Sequence, residues 1–139
     1  MKILLIEDRG SVSFYLKALI EQDGDEVIEA YSILDAQSCL EKNKIDCIIL
    51  DLNLDAFGLT ELEERQTENG TITGWIWLNN YVLNKNPEMQ ERTIIYSDYV
   101  NVLRSAVDVN LLSDFVIYQK RESSAEKLID QINKIRKIK

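Results

Sequence analysis

Asp51, Asn53 and Asp55 stand at alternate positions in the stretch "IILDLNLDAFG", residues 48–58, and each offers a side-chain oxygen. Oxygen donors so arranged suit three chemistries: a calcium loop, the nucleophile motif of a phosphohydrolase, or an aspartate that accepts a phosphoryl group. The calcium loop matches poorly. The twelve residues "DLNLDAFGLTEL" carry Ala56 where a glycine bends such a loop and Leu62 where a bidentate glutamate closes it. An apolar run also precedes them, where that motif has a helix. The hydrolase motif wants a second aspartate at position 53, after the first strand of its fold. Here that position is Asn53, and the run before it is the third of its kind. A phosphoacceptor Asp51 accounts best for the stretch.

The elements that position these residues follow from hydrophobic patterning. "KILLI" (Lys2 to Ile6), "DEVIEAY" (Asp25 to Tyr31), "IDCIIL" (Ile45 to Leu50), "RTIIYS" (Arg92 to Ser97) and "DFVIYQK" (Asp114 to Lys120) read as five strands, the third apolar throughout and therefore central. Between them lie helical patterns. Val12, Leu16, Leu19 and Ile20 recur at helical spacing before Gly24, and Ser32 with Asp35 suits an N-cap ahead of an apolar face of Leu34, Cys39 and Leu40. "TGWIWLNNYVL" (Thr73 to Leu83) is a helix that Asn86-Pro87 terminates, and "DYVNVLRSAV" (Asp98 to Val107) is a short one. The last helix opens on a capping box, Ser123 and Glu126, and repeats apolar residues at Leu128, Ile129, Ile132 and Ile135. Trp75 and Trp77, two apart on a helix, cannot share a face, so one packs and the other is partly exposed.

Strand and helix alternate five times, the pattern of a parallel sheet with helices on both faces and right-handed crossovers. In such sheets the functional crevice lies beyond the C-terminal strand ends. The residues there are Glu7 and Asp8 after the first strand, Asp51 after the third, Ser97 after the fourth and Lys120 after the fifth. Carboxylates about 4 Å apart repel by about 4 kcal/mol per pair at an effective dielectric near 20. Three of them need a counter-charge, and a hard divalent cation such as Mg²⁺ is the natural one. Lys120 supplies a further positive charge, and Ser97 a hydrogen bond to an arriving oxygen. That is equipment for phosphoryl transfer to an acid.

Bulk properties remove other classes. A chain of 139 residues is one domain by size, and its formal charge of −8 argues against nucleic acid as a direct partner. No apolar run approaches the ~20 residues of a membrane span. "MKILLIED" meets acids after four apolar residues, unlike a signal peptide. Cys39 and Cys47 sit in apolar stretches, as buried cysteines of a reducing cytosol do. The chain has no histidine, which removes imidazole catalysis, the usual zinc ligand sets and a histidine phosphocarrier role.

Over essentially its whole length the chain resembles the receiver domain of two-component response regulators, through "LLIED", "IILDLNL", "IIYSD" and "VIYQK" in that order, with "GDEVIEAYSILDA" similar to that family's second strand and helix. The resemblance implies a flavodoxin-like, doubly wound five-stranded parallel sheet, (βα)5, as a single receiver domain over residues 1–139, with an acidic insertion at 55–72 between the third strand and third helix. It implies that Asp51 accepts phosphate from a sensor histidine kinase or phosphotransfer protein, and that Glu7, Asp8, Asp51 and the backbone carbonyl of Asn53 hold Mg²⁺. Ser97 and Lys120 would contact the phosphoryl group. Such a protein is a cytoplasmic signalling switch, not an enzyme beyond self-catalysed phosphoryl transfer to and hydrolysis from its own aspartate, and it signals through a protein partner or a homodimer. The alternatives are a phosphorylation-independent interaction module and a small flavodoxin-like ligand-binding domain or enzyme. A glycine-rich phosphate loop, which nucleotide or flavin binding would want, is missing.

The chain departs from the family pattern in four places. The segment "DAFGLTELEERQTENGTI" is longer than usual and carries Asp55, Glu61, Glu63, Glu64 and Glu68 against Arg65 alone. It is either a solvated surface insertion, in which "LTELEERQ" forms an extra helical turn or two, or a lid or partner surface. Asp98 follows the switch serine, where the family has a small residue, and either repels phosphate or slows entry of the donor, or points to solvent and caps the next helix. Lys120 is followed by Arg121 in place of proline. The position of the family's aromatic rotamer switch holds Ile117, with Tyr118 beside it.

Overall fold

A computed structural model describes residues 1–138. Five parallel strands, β1 (Lys2–Ile6), β2 (Glu26–Ala30), β3 (Cys47–Leu50), β4 (Thr93–Ser97) and β5 (Val116–Gln119), form one sheet in the order β2-β1-β3-β4-β5. This is the flavodoxin-like order, in which the chain reverses its winding direction between β1 and β3. Helices α1 (Gly10–Glu21), α2 (Ile33–Lys42), α3 (Glu61–Arg65), α4 (Thr73–Trp77), α5 (Val100–Ala106), α6 (Val109–Leu112) and α7 (Ala125–Arg136) fill the connections.

The pleat divides the core in two. Successive strand residues point to opposite faces. Leu4, Ile6, Ile48, Leu50 and Ile95 therefore face α2, α4 and α5, while Ile3, Leu5, Ile49, Ile94 and Tyr96 face α1 and α7. Both faces are covered, so β1 and β3 are apolar at almost every position. At ~25 cal/mol per Å² of apolar surface this two-sided burial is the largest stabilising term available to the fold.

Several local expectations are corrected by this packing. Both tryptophans are buried, because α4 lies between two neighbours: Trp75 packs edge-on against Phe115 (centroids 5.4 Å apart), and Trp77 Nε1 donates to Gln37 Oε1 on α2 at 3.2 Å. The α-helical stretch also ends at Trp77. It continues as a π turn, Leu78–Val82, closed by the Leu83 N–H to Leu78 O bond of 2.9 Å, well before Pro87, which opens a 3-10 turn at Pro87–Arg92. On α2 the buried positions are Ile33 and Ala36, while Leu34 is exposed and leans toward Gly58. The α7 cap is Ser124, which accepts from Lys127 N, and not Ser123 with Glu126. Ser32 does cap α2 through Asp35 N at 3.1 Å.

The segment 55–72 is folded against the body. Thr60 and Glu63 form a reciprocal capping box on α3. Glu63 also accepts from the Tyr81 hydroxyl and from Asn80 Nδ2 at 2.9 Å, both on the π turn. Partial burial alone would raise this carboxyl, yet the hydrogen bonds from Thr60, Tyr81 and Asn80 outweigh it and hold it at about 2. Among the described residues no helix is long and apolar enough to cross a membrane.

One glycine ties α4 to the strand ends. Gly74 N donates to Leu52 O at 3.0 Å, and a Cβ at Gly74 would meet Asp51 O at 2.3 Å and Leu52 Cα at 3.2 Å. Gly74→Ala must push α4 off the β3 exit. A loss of about 3 kcal/mol is expected in urea unfolding, at the upper end for an overpacking substitution, and unchanged stability would contradict this close approach.

Candidate functional site

The backbone ladder continues one residue past three strand ends, and that fixes the site. Glu7 N donates to Ala30 O (3.0 Å), Asp51 N to Ile6 O (3.0 Å) and Lys120 N to Ser97 O (3.1 Å). Each of these side chains therefore leaves the rim at a height set by its neighbouring strand. Ser97, the last residue of β4, is fully buried between them.

Asp51 is the hub. Its Oδ1 accepts from Ser97 Oγ at 2.6 Å and from Leu52 N at 2.7 Å, and its Oδ2 accepts from Lys120 Nζ at 3.1 Å. Lys120 Nζ also donates to Glu7 Oε1, and it stands 5.9 Å from the centroid of the Tyr96 ring. The ammonium thus bridges carboxylates from β1 and β3 while leaving from β5, reaching over the end of β4. Asp51 is 5% exposed and Glu7 1%. Oxygen atoms of Glu7, Asp8 and Asp51 all lie within 4.8 Å of one another, Asp8 being exposed. Asn53 lines a cleft of about 830 Å³ together with Asp8, Asp55, Glu61, Glu64 and Arg65. Asn53 N lies 3.4 Å from Asp51 Oδ1.

The structure thus gathers every residue expected at the site: Glu7, Asp51, Ser97 and Lys120 by direct hydrogen bonds, Asp8 and Asn53 beside them. Residues that patterning missed are Leu52, which contributes a main-chain N–H, and Tyr96, which the pleat places under Lys120 one residue before Ser97. Asp98 does not cap α5. Its Oδ2 accepts from Arg9 Nη2 at 3.3 Å, and its Oδ1 lies 3.7 Å from Arg121 Nε. Ile117 packs into the α2–α4–α5 core and Tyr118 into the opposite one.

Electrostatics divide the two buried acids. Burial raises Glu7, the Asp51 carboxylate raises it further, and Lys120 only partly offsets this, so it stands at about 7 instead of 4.5. Asp51 is also pushed up by burial, but its hydrogen bonds with Glu7 and Ser97 and the charge of Lys120 bring it below the ordinary carboxylate range. Lys120 itself is raised, since attraction to Asp51 and Glu7 exceeds its desolvation cost. The arrangement keeps Asp51 ionised, which a nucleophile needs. One ammonium against three acids leaves a surplus of negative charge, and the donor set is oxygen only. Hard oxygen donors at this separation fit a magnesium-type ion. They do not fit a thiophilic metal.

No protein-family model and no curated protein matches the chain. Solved structures do match it over almost its whole length. They include a response regulator receiver domain protein from Clostridium thermocellum (24% identical over 99% of this chain and 96% of that one, TM-score 0.64) and the response regulator TrrA from Thermotoga maritima, solved in complex with Mg²⁺-BeF (18%, 96% and 97%, TM-score 0.67). A sensor protein from Polaromonas sp. JS666 is 15% identical over 99% and 98%, with a TM-score of 0.70. The fold of this chain is that of the response regulator receiver domain.

The raised Glu7 makes stability pH-dependent. Its favourable contribution is complete below its unfolded value of 4.5 and is lost as pH rises through about 7. At about 1.4 kcal/mol per pH unit, the protein without divalent cations loses at most about 3 kcal/mol across that window. The lowered Asp51 acts only below 3.8, outside it. Urea unfolding in chelator at pH 5 and pH 8 checks this: Glu7→Gln flattens the slope, and an equal slope in both proteins would contradict it.

Proposed function

We propose that this protein is a phosphoacceptor receiver, phosphorylated on Asp51 by a histidine kinase or phosphotransfer protein and signalling to a protein partner or through a homodimer. The observation that carries the reading is the position of Lys120, whose ammonium joins Asp51 to Glu7 while Ser97 holds the other oxygen of Asp51. Residues 1–139 then act as one receiver unit, cytoplasmic like its donor.

In the step we envisage, an Asp51 carboxylate oxygen attacks the phosphorus of the donor. The new oxygen–phosphorus bond forms as the bond from phosphorus to the donor atom breaks, and the leaving group departs with that electron pair. Ser97 and Leu52 orient Oδ1, which leaves Oδ2, on the Lys120 side, to attack. Lys120 and Ser97 then hold the phosphoryl oxygens, and the partner surface responds to about −1.5 to −2 added charges. Glu7, Asp8, Asp51 and the Asn53 carbonyl would hold Mg²⁺, which when bound neutralises charge on the transferring group. Water attack on the same phosphorus reverses the modification, so turnover is confined to the protein's own aspartate.

A phosphorylation-independent interaction module is the second reading, favoured by the low exposure of Asp51 and by the carboxylate of Asp98 at the rim. Intact-mass spectrometry after incubation with acetyl phosphate separates the two. A receiver gains one phosphate, base-labile, only with Mg²⁺, and Asp51→Asn gains none. Absence of the adduct, with no beryllofluoride binding either, would leave the interaction module.

A further inference from the structure

Three of the site residues are each followed by a charged one: Asp8 by Arg9, Ser97 by Asp98, Lys120 by Arg121. Because the strands end on one rim, these followers converge as well. Arg9 Nη2 donates to Asp98 Oδ2 at 3.3 Å, and Arg121 Nε lies 3.7 Å from Asp98 Oδ1. Gln119 Nε2 donates to the main-chain oxygen of Asp98 at 2.9 Å and fixes its backbone toward β5.

Sheet order gives this cluster its meaning. β3, which carries Asp51, lies between β1 and β4, so the Arg9–Asp98 pair joins the strands on either side of the phosphoacceptor. Arg121 extends the chain of charges to β5. The side chain of Asp98 is 19% exposed, against 59% for Arg9 and 82% for Arg121. Its Oδ1 is closed off from solvent and, among the described residues, accepts no hydrogen bond. A carboxylate oxygen so placed is under-satisfied, which costs free energy in the folded protein. Exposed ion pairs are individually weak, so such a strap tunes a rate and does not lock the site.

We propose that Asp98, held between Arg9 and Arg121, is a specificity-determining residue that slows small dianionic phosphodonors on their way to Asp51. It does so by placing a negative charge at the rim and by occupying two guanidiniums that would otherwise attract the donor. The inference rests on Asp51 being the phosphoacceptor. It concerns two donors of different charge. Acetyl phosphate, a dianion at neutral pH, gives its phosphoryl group to Asp51 as its acyl oxygen–phosphorus bond breaks and acetate leaves with the electron pair. Phosphoramidate, a monoanion, does so as its phosphorus–nitrogen bond breaks and the already protonated nitrogen leaves as ammonia.

Time courses of adduct formation by intact mass, with Mg²⁺ and each donor in turn, test this on wild type, Asp98→Ala and the isosteric Asp98→Asn. Both variants should react about 3- to 10-fold faster than wild type with acetyl phosphate, by a smaller factor with phosphoramidate, and the gap should narrow as salt screens the rim. Equal rates in all three proteins would overturn the inference and leave the receiver reading standing. So would acceleration by Asp98→Ala alone, which would assign the effect to bulk, or an equal factor for both donors. No adduct in any protein would remove the phosphoacceptor and the inference with it.

Discussion

Everything at the rim depends on one ammonium. Lys120 leaves β5 and reaches over the end of β4 to carboxylates delivered by β3 and β1, joining residues far apart in the chain. Without a cation between them, Glu7 and Asp51 would face each other in a poorly solvated space, and each would be driven toward its neutral form. That constraint is met by ladder bonds one residue past the strands, which pin Glu7, Asp51 and Lys120, with Ser97 buried among them. It explains why the acids divide, Glu7 upward and Asp51 downward: one lysine shared by two buried carboxylates stabilises one ionised group well and the second poorly.

Much of this was legible in the sequence, for a definite physical reason. A parallel strand buried on both faces must be an apolar run, and it stops where the chain reaches the rim and polar groups are affordable. The run Lys2–Ile6 therefore marked β1 to the residue, and the polar residues just after β1, β3 and β5, with Ser97 closing β4, marked the site. The alternation of elements marked a parallel sheet covered on both faces, and its doubly wound strand order came only with the resemblance to the receiver domain. Less legible were features in which two elements compete for one residue. Trp75 and Trp77 read as one packed and one partly exposed only if α4 has a single packed face, and it has two, toward Phe115 and toward Gln37. The π turn at Leu78–Val82 leaves no mark on a 3.6-residue period. Ser123 and Ser124 are the same residue type, and only backbone geometry chose the second as the cap.

The acidic segment 55–72 and Asp98 show the same limit on longer range. Composition placed five acids in that segment and left open whether it was a solvated loop or an ordered surface. The answer lay in Tyr81 and Asn80, which the π turn presents to Glu63. Gly58 further lets the segment close on Leu34, which a Cβ there would approach to 2.8 Å. For Asp98 the sequence offered repulsion of the donor or capping, and the structure removes the cap, holding the carboxylate between two arginines from different loops. Pairings of this kind belong to the rim as a whole and are invisible to any window along the chain.

The central claim is that Asp51, Ser97 and Lys120 form one site for a phosphoryl group, with the acids beside it holding magnesium. A crystal structure of the protein with Mg²⁺ and beryllofluoride tests it most directly, since beryllofluoride on an aspartate mimics the acyl phosphate. The account predicts beryllium bound to a carboxylate oxygen of Asp51, fluorines within hydrogen-bonding distance of Ser97 Oγ and Lys120 Nζ, and Mg²⁺ on Glu7, Asp8, Asp51 and the Asn53 carbonyl. An Asp51 carboxylate still bridged to Glu7 by Lys120, with neither ion bound at saturating concentrations, would contradict it.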